Sequence, residues 1–239
     1  MASIQRVYNG LRDLMNKQQK GFIGLKTFNS LASIAQRNIY NQLFEELGTI
    51  KTYRASNVDS SRYKSRKQAI EEELARFVVR DHSITLSSGK GDSPVNMHKL
   101  ISIVTDKSNR TAVELIYDID RADRIIKSNL SAPSSTFPVA VITDKVEVFP
   151  TNTTSAYLTY YRSPGSLNGS GKMGDPQPNY SARSVVVGSS EGAIFDPINS
   201  RDFALSNEFE HKLVMEMAKL VGLNLRDSDA VTLGTQESQ

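Results

Sequence analysis

The segment SVVVGSSEGAIFDPINSRDFALSNEFEHKLVMEMAKLVGLNL, residues 184–225, organises the rest of the chain. Its first half predicts β-structure through residues 193–195 and 202–205, and its second half predicts the most strongly marked helix of the sequence. Ser206 and Asn207 are N-cap candidates, and Asn207 with Glu210 has the spacing of a capping box. Gly222 predicts the end of the helix.

Apolar residues recur at helical spacing after these capping residues, so one face of the predicted helix must be buried. We find no catalytic group in this segment. The apolar stripe consists of Phe209, Leu213, Val214, Met217, Leu220 and Val221.

Composition limits the classes of protein to which the chain can belong. The 239 residues include no cysteine, which excludes disulfides, thiolate nucleophiles and Cys-based metal sites, and agrees with assembly in a reducing cytoplasm. No apolar run approaches the roughly 18 residues that cross a bilayer, so we expect no membrane partner. The net charge of +3 is weak for an independent nucleic-acid-binding protein.

The charge is unevenly distributed. Residues 1–80 contain 14 Lys/Arg and 7 Asp/Glu, whereas residues 81–239 contain 15 and 19. The densest basic run is followed by Glu71, Glu72 and Glu73, and Lys67 and Glu71 have opposite charges four residues apart. This pattern favours a self-paired exposed helix face, with a surface for a partner or for DNA as the alternative. The basic residues are Arg62, Lys64, Arg66 and Lys67.

The first 80 residues predict a helical subdomain. One helix runs from Ile4 to before Gly21, a second from a Thr27 cap to a stop at Gly48, and a third spans residues 63–78. Three helices joined by short links can pack as a unit.

Residues 81–225 predict a mostly antiparallel β domain on which the C-terminal helix docks. Residues 106–109 and 143–145 are turn sequences between strands, which indicates two hairpins, and residues 156–161 form a further strand. Residues 120–129 predict a short helix, residues 165–181 a functional or disordered loop, and residues 226–239 a polar tail. The fold class is therefore α+β: an N-terminal helical subdomain, a central antiparallel β-sheet and a C-terminal amphipathic helix.

Three segments together resemble virion neck proteins of crAss-like and related tailed bacteriophages. In those proteins I-x-V-x-P precedes L-x-Y-x-R-x-P, and a D-F-E-L strand precedes a helix that begins with acidic residues. Here the segments are VEVFP at 146–150, YLTYYRSP at 157–164 and DFALS at 202–206, the last leading into a helix. The chain differs in having Ala204 where an acidic residue is usual and Tyr161 before the arginine. The resemblance covers about residues 100–225.

The resemblance implies a homo-oligomeric ring, a dodecamer, in the head-to-tail connector of the virion. Such a ring stacks beneath the portal protein or on other neck and tail rings. Packaged DNA passes through its channel without sequence-specific binding. It also implies a structural role with no enzyme activity, no cofactor and no metal. The alternatives are an internal cargo or scaffold virion protein, or a non-specific DNA-binding protein.

Tyr157, Tyr161 and Arg162 are candidate interface residues. Alternation along a strand places Tyr157, Thr159 and Tyr161 on one face and Leu158 and Tyr160 on the other. Core packing is the simpler explanation for the tyrosines, although exposed tyrosines often anchor interfaces. Arg162 suits either a structural pair within the subunit or an interface contact.

Three patterns that could indicate an enzyme or a metal site are incomplete. GSGKM at 169–173 lacks the Ser/Thr and the glycine spacing of a phosphate-binding loop. Asp118, Asp120 and Asp123 lack the glycine and distant glutamate of a calcium loop, so a helix N-terminal acidic cap at Asp118 or Asp120 explains them better. The histidines at 82, 98 and 211 are isolated in sequence, and no nucleophile elbow or HExxH accompanies them.

Overall fold

The computed structural model describes residues 1–17, 23–53, 60–165, 177–187 and 190–224. These residues confirm the α+β class, with N-terminal helices, central strands and a C-terminal helix. They divide into two compact units. One contains residues 1–73, 164–165 and 177–224 within the described ranges, and the other contains residues 74–163.

The helical unit contains three helices and most of a fourth, together with a two-stranded ribbon. Helix α5 packs against α1 and α2, and its buried stripe is Leu213, Met217 and Val221. The C-terminal helix therefore docks on helices of its own unit. The elements are α1 (Ile4–Lys17), α2 (Leu25–Tyr53), α3 (Ser60–Ala75, whose last two residues belong to the other unit), ribbon strands β8 (Ala182–Val187) and β9 (Ser190–Phe195), a 3₁₀ turn (Asn207–Phe209) and α5 (Glu210–Asn224).

The other unit contains two small sheets that share a hydrophobic core. Ile84, Ile103 and Leu158 from the first sheet pack in one cluster with Ala140 and Val148 from the second. The first sheet has the order β1-β7-β3 and the second β2-β6-β5-β4. Their elements are β1 (Val78–Thr85), β2 (Lys90–Asp92), β3 (Met97–Val104), β4 (Glu114–Ile116), α4 (Ile119–Ile126), β5 (Val139–Ile142), β6 (Lys145–Phe149) and β7 (Ser155–Arg162).

The predicted hairpin at residues 139–149 is confirmed, because β5 pairs antiparallel with β6. The hairpin around residues 106–109 forms only in part. Val113 N donates to Ile103 O at 3.0 Å, but β4 then joins the second sheet and pairs with β5 in parallel. Helix α4 makes the crossover between these parallel strands, and Ala122 packs with Ile116, Val139 and Val141.

Several predicted helix boundaries are wrong. Helix α2 begins at Leu25, ahead of Thr27, and continues through Gly48 to Tyr53. Leu47 and Ile50 are buried on either side of Gly48, so the apolar stripe extends beyond the glycine and packing offsets its cost of about 1 kcal/mol. Helix α5 likewise continues through Gly222 to Asn224.

Two predictions about secondary structure at segment ends are also wrong. Helix α3 ends at Ala75, and Val78 opens β1 instead of extending the helix. Residues 202–205 form no strand. Phe203 and Leu205 are fully buried, and this segment pairs with the start of the chain. Phe203 N donates to Ala2 O at 3.1 Å, and Ala2 N donates to Leu205 O at 2.7 Å.

The predicted capping box at Asn207 and Glu210 is wrong because Glu210 caps a different helix. Its carboxylate accepts from Ser3 N at 2.8 Å and lies 3.4 Å from the Arg6 guanidinium. Asp202 accepts from Ile4 N at 2.9 Å. Two carboxylates of the C-terminal segment therefore bind amides at the N-terminus of α1, where free N–H groups and the helix dipole favour negative charge.

Candidate functional site

The strand with the candidate tyrosines, β7, lies at the centre of the first sheet, between β1 and β3. The predicted division of its side chains is confirmed. Leu158 and Tyr160 are buried in the core, and Tyr157, Thr159 and Tyr161 are half-buried on the opposite face. We call this second side, with the β1 and β3 residues that share it, the tyrosine-bearing face.

Side chains of the same unit partly cover one end of this face. The Lys107 ammonium lies 6.0 Å from the centre of the Tyr157 ring, within the range of a cation–π contact. The Arg110 guanidinium lies 3.5 Å from the Asp81 carboxylate on β1. Because Lys107 and Arg110 follow β3 and Asp81 belongs to β1, these side chains reach across β7 beside Tyr157.

The β1 strand is irregular where it passes Thr159. Its pairing with β7 shifts between Val79 and His82, and Asp81 between them has a φ of 51°. Aspartate tolerates this left-handed conformation better than most residues, and the extra residue is typical of a β-bulge. Asp81 N then points to Thr159 Oγ1 at 3.5 Å. At the other end of the face, Tyr161 pairs with Val78 and Lys99, and the β3 pairing with β7 shifts between Met97 and Lys99 and again between Leu100 and Ser102.

Tyr160 shows how the opposite side of β7 is fixed. Its hydroxyl donates to Asn96 Oδ1 at 3.0 Å, a bond between buried groups. Burial raises the pKa of the Tyr160 phenol, while the Asn96 hydrogen bond and the Arg162 charge act to lower it. A neutral, hydrogen-bonded tyrosine in a core is a structural group.

Arg162 contacts the strand-end region of its own unit. Its guanidinium Nη2 donates to Arg76 O at 3.4 Å, and its backbone N donates to Phe77 O at 2.8 Å. This geometry agrees with the structural alternative for Arg162. The remaining basic candidates lie on α3.

The two basic candidates of α3 whose side chains the structure describes, Arg66 and Lys67, pair with acidic groups. Arg66 Nη2 lies 2.7 Å from Glu46 Oε2, and Lys67 Nζ lies 3.4 Å from Glu71 Oε1, four residues on. The side chains of Arg62 and Lys64 lie outside the described part of the structure. The Lys67–Glu71 pair has the four-residue spacing of a self-paired face, whereas Arg66 pairs with a residue of α2. Exposed pairs of this kind contribute at most about 1 kcal/mol each.

The acidic run at Asp118 has the predicted capping role. Its carboxylate accepts from the backbone N of Asp120 at 3.0 Å and of Arg121 at 3.3 Å, which caps α4. Among the described residues, no group of three or more histidines, aspartates and glutamates could hold a metal ion. The GSGKM segment at 169–173 lies outside the described residues. Within the ranges that the structure covers, no helix is long and apolar enough to span a bilayer.

The sequence interpretation missed the exposure of four large apolar side chains between β4 and β5. Tyr117, Ile119, Leu130 and Phe137 are between 59% and 98% exposed. Their apolar character was visible in the sequence, but no local signal indicated that they are exposed.

Comparison with models of known protein families and with curated proteins finds no match for this chain.

Proposed function

We propose that this chain is a structural virion protein that forms a homo-oligomeric ring in the head-to-tail connector of a tailed bacteriophage. In this proposal the ring lies below the portal protein, contacts the portal and other neck or tail rings, and surrounds the channel through which packaged DNA passes.

The observation that carries the proposal is the order of the three segments that resemble phage neck proteins. VEVFP coincides with β6 and the following Pro150, and YLTYYRSP coincides with β7 and its end. The DFALS segment leads into the 3₁₀ turn and α5. The segments therefore belong to a paired strand, a central strand and a helix start.

Two structural features support a role in assembly. The β7 tyrosines on the tyrosine-bearing face are only half-buried, and tyrosine is enriched at the centres of protein interfaces. The start of the chain is held by Asp202 and Glu210, so the helical unit presents a fixed surface. Cyclic rings need fixed surfaces of this kind, because one face of a subunit must match a different face of the next.

The first test is the oligomeric state of the purified full chain, alone and with the portal protein, by sedimentation velocity and negative-stain microscopy. Annular particles, alone or on the portal, are expected. A monomer at high concentration that also fails to bind the portal would overturn the proposal.

A pair of matched variants then tests the tyrosine-bearing face. Tyr161→Ala removes a half-buried ring from this face, whereas Tyr117→Ala removes an exposed tyrosine elsewhere in the same unit. We expect Tyr161→Ala to raise the protein concentration needed for ring formation at least tenfold, and Tyr117→Ala to leave that concentration unchanged. Both variants must melt as the wild type does. Equal behaviour of the two variants would exclude this face from the interface.

An internal scaffold or cargo protein and a non-specific DNA-binding protein are the alternatives. A connector component persists in virions that have ejected their DNA, and an internal protein is lost from them. Binding to short DNA duplexes that is strong and weakly dependent on salt would also contradict the ring, since a sliding genome requires few and non-specific contacts.

A further inference from the structure

Among the residues that the structure describes, the two-stranded ribbon of the helical unit has no partner along either outer edge. Strands β8 and β9 pair antiparallel over six residues each, from Ala182 opposite Phe195 to Val187 opposite Ser190. The other described strands belong to the two sheets of the other unit, and none of the isolated bridges in the described ranges involves β8 or β9. In the part of the chain that is described, each strand therefore pairs along one side only.

Such a ribbon is a template for further pairing. Two strands alone are marginally stable in water, and natural proteins protect open edges with lysine, proline, bulges or a covering segment. The sequences ARSVVV and SEGAIF contain one charged residue each, Arg183 and Glu191, but neither lysine nor proline, and their pairing runs without a register shift. Their valines, isoleucine and phenylalanine favour β-structure.

The base of the ribbon is fixed to the helical unit. The Phe195 ring centre lies 5.2 Å from that of Tyr180, and Asp196 N donates to Ser181 O at 2.9 Å. Tyr180 N in turn donates to Asn29 Oδ1 on α2 at 2.7 Å. These contacts fix the ends of β8 and β9 that adjoin the helices, so the position of the ribbon's base on the helical unit is defined.

We propose that the ribbons of successive copies pair edge to edge, β9 of one copy with β8 of the next. This inference rests on the proposed ring, and it names the backbone contact that closes the ring. A second copy is the fitting occupant because β8 and β9 already pair with each other, and the new contact repeats that pairing on their free sides.

Ring symmetry gives the strand direction. Rotation about an axis that runs along the strands keeps every β8 in the same direction. Each contact between β9 and the next β8 is then antiparallel, like the pairing within one ribbon. Closure uses both edges of every copy and leaves no edge open.

The dimensions agree with a channel. A dodecamer would place two dozen strands around the axis, and at about 4.8 Å per strand their circumference is about 115 Å. Barrels of roughly 16–18 strands already leave an aqueous channel. A ring of paired ribbons is therefore wide enough to line a passage rather than to form a filled core.

Cysteine cross-linking tests the edge pairing directly, because the chain contains no cysteine of its own. Ser184→Cys on β8 is purified separately from Glu191→Cys and Ala193→Cys on β9. Variants that melt as the wild type does are mixed in equal amounts, assembled and oxidised. Within a single variant, like positions on neighbouring copies are two strands apart, about 9–10 Å, which is beyond disulfide reach.

Disulfide-linked dimers are expected only in the mixtures. Random assembly brings the two cysteines together at one junction in four, so at most about half of the chains are cross-linked. The double variant Ser184→Cys/Ala193→Cys is the positive control, since these residues are opposite each other within one ribbon. A mixture of Ser184→Cys with Tyr117→Cys is the negative control, because Tyr117 is exposed and belongs to neither ribbon strand.

The outcomes separate the two proposals. Rings with cross-links in at least one β8–β9 mixture support the inference. Rings without cross-links in any mixture overturn the inference and leave the proposed function standing. Cross-linked chains without rings support the edge pairing and overturn the closed ring. Uncross-linked monomers, with or without the portal protein, overturn both.

Discussion

Two glycines inside helices allow the docking of α5 on α1 to be measured. Gly10 lies within α1, and a Cβ built there would lie 3.3 Å from Val214 Cγ2 on α5. Gly48 lies within α2, and a Cβ there meets nothing within 4 Å. The two Gly→Ala substitutions share the helix-propensity effect, and only the first introduces a contact with α5.

The two substitutions should change the free energy of unfolding differently. Gly48→Ala should raise the free energy of unfolding by about 0.8–1.0 kcal/mol, the difference in helix propensity. Gly10→Ala gains the same amount, but an added methyl group in a packed contact typically costs about 1–3 kcal/mol. The net change for Gly10→Ala is therefore between about zero and a loss of about 2 kcal/mol.

Truncation of Val214 should restore the gain. In a Val214→Ala background the new methyl group has room, so Gly10→Ala should stabilise by nearly as much as Gly48→Ala. The coupling energy of this double-mutant cycle should be about 1 kcal/mol or more, measured by urea unfolding followed by circular dichroism. Additive effects within about 0.3–0.5 kcal/mol would show that α5 does not pack against α1 at Gly10, and would refute the arrangement of the helical unit.

Three further predictions concern single hydrogen-bonding groups. Asp118→Ala removes the α4 cap and should lower the free energy of unfolding by about 1 kcal/mol. The control Asp123→Ala loses an exposed pair with Lys127 and should lower it by at most about 0.5 kcal/mol. Urea titrations compare the two variants, and equal losses would contradict the cap. Tyr160→Phe removes the donor to buried Asn96 and should lower stability by about 1–3 kcal/mol, measured by thermal unfolding; an unchanged melting temperature would contradict that bond. Hydrogen bonds, first that from the Asn199 side chain, lower the pKa of the Asp196 carboxyl. Its stabilisation is therefore present above the ordinary aspartate pKa of about 3.9 and is lost as the pH falls through the lower folded value. An NMR titration that places its pKa at or above the ordinary value would contradict this.

The sequence predicted those features that depend on neighbouring residues. The turn at 143–145 between two alternating segments identified the β5–β6 hairpin, and the pattern of β7 separated Leu158 and Tyr160 from the half-buried tyrosines. The acidic run predicted a cap at Asp118 or Asp120, and Asp118 forms it with partners two and three residues away. In each case the spacing along the chain determines the contact.

Features that depend on distant residues were not predicted. The β7 strand lies between β1 and β3, which are far from it in sequence, and the β4–β5 pair is parallel although a turn sequence precedes β4. Gly48 and Gly222 are ordinary stop signals, but α2 and α5 continue past them, and in α2 the buried Ile50 lies beyond the glycine. Tertiary packing outweighs a local preference of about 1 kcal/mol.

The capping residues show how residues 184–225 organise the helical unit through contacts that their own sequence pattern does not predict. Glu210 has the correct spacing to cap its own helix, yet its carboxylate accepts from Ser3 N, and the Ser206 side chain makes no capping bond. Ser206 N instead donates to Glu73 Oε1 at 2.7 Å. A local cap satisfies one helix end, whereas these exchanged caps join the N-terminus of α1, the end of α3 and the start of α5. A buried amide without a hydrogen-bond partner costs about 1–3 kcal/mol. Because these amides bind carboxylates of distant segments, their hydrogen bonds stabilise the contacts between those segments, and so the helical unit as a whole, rather than a single helix end.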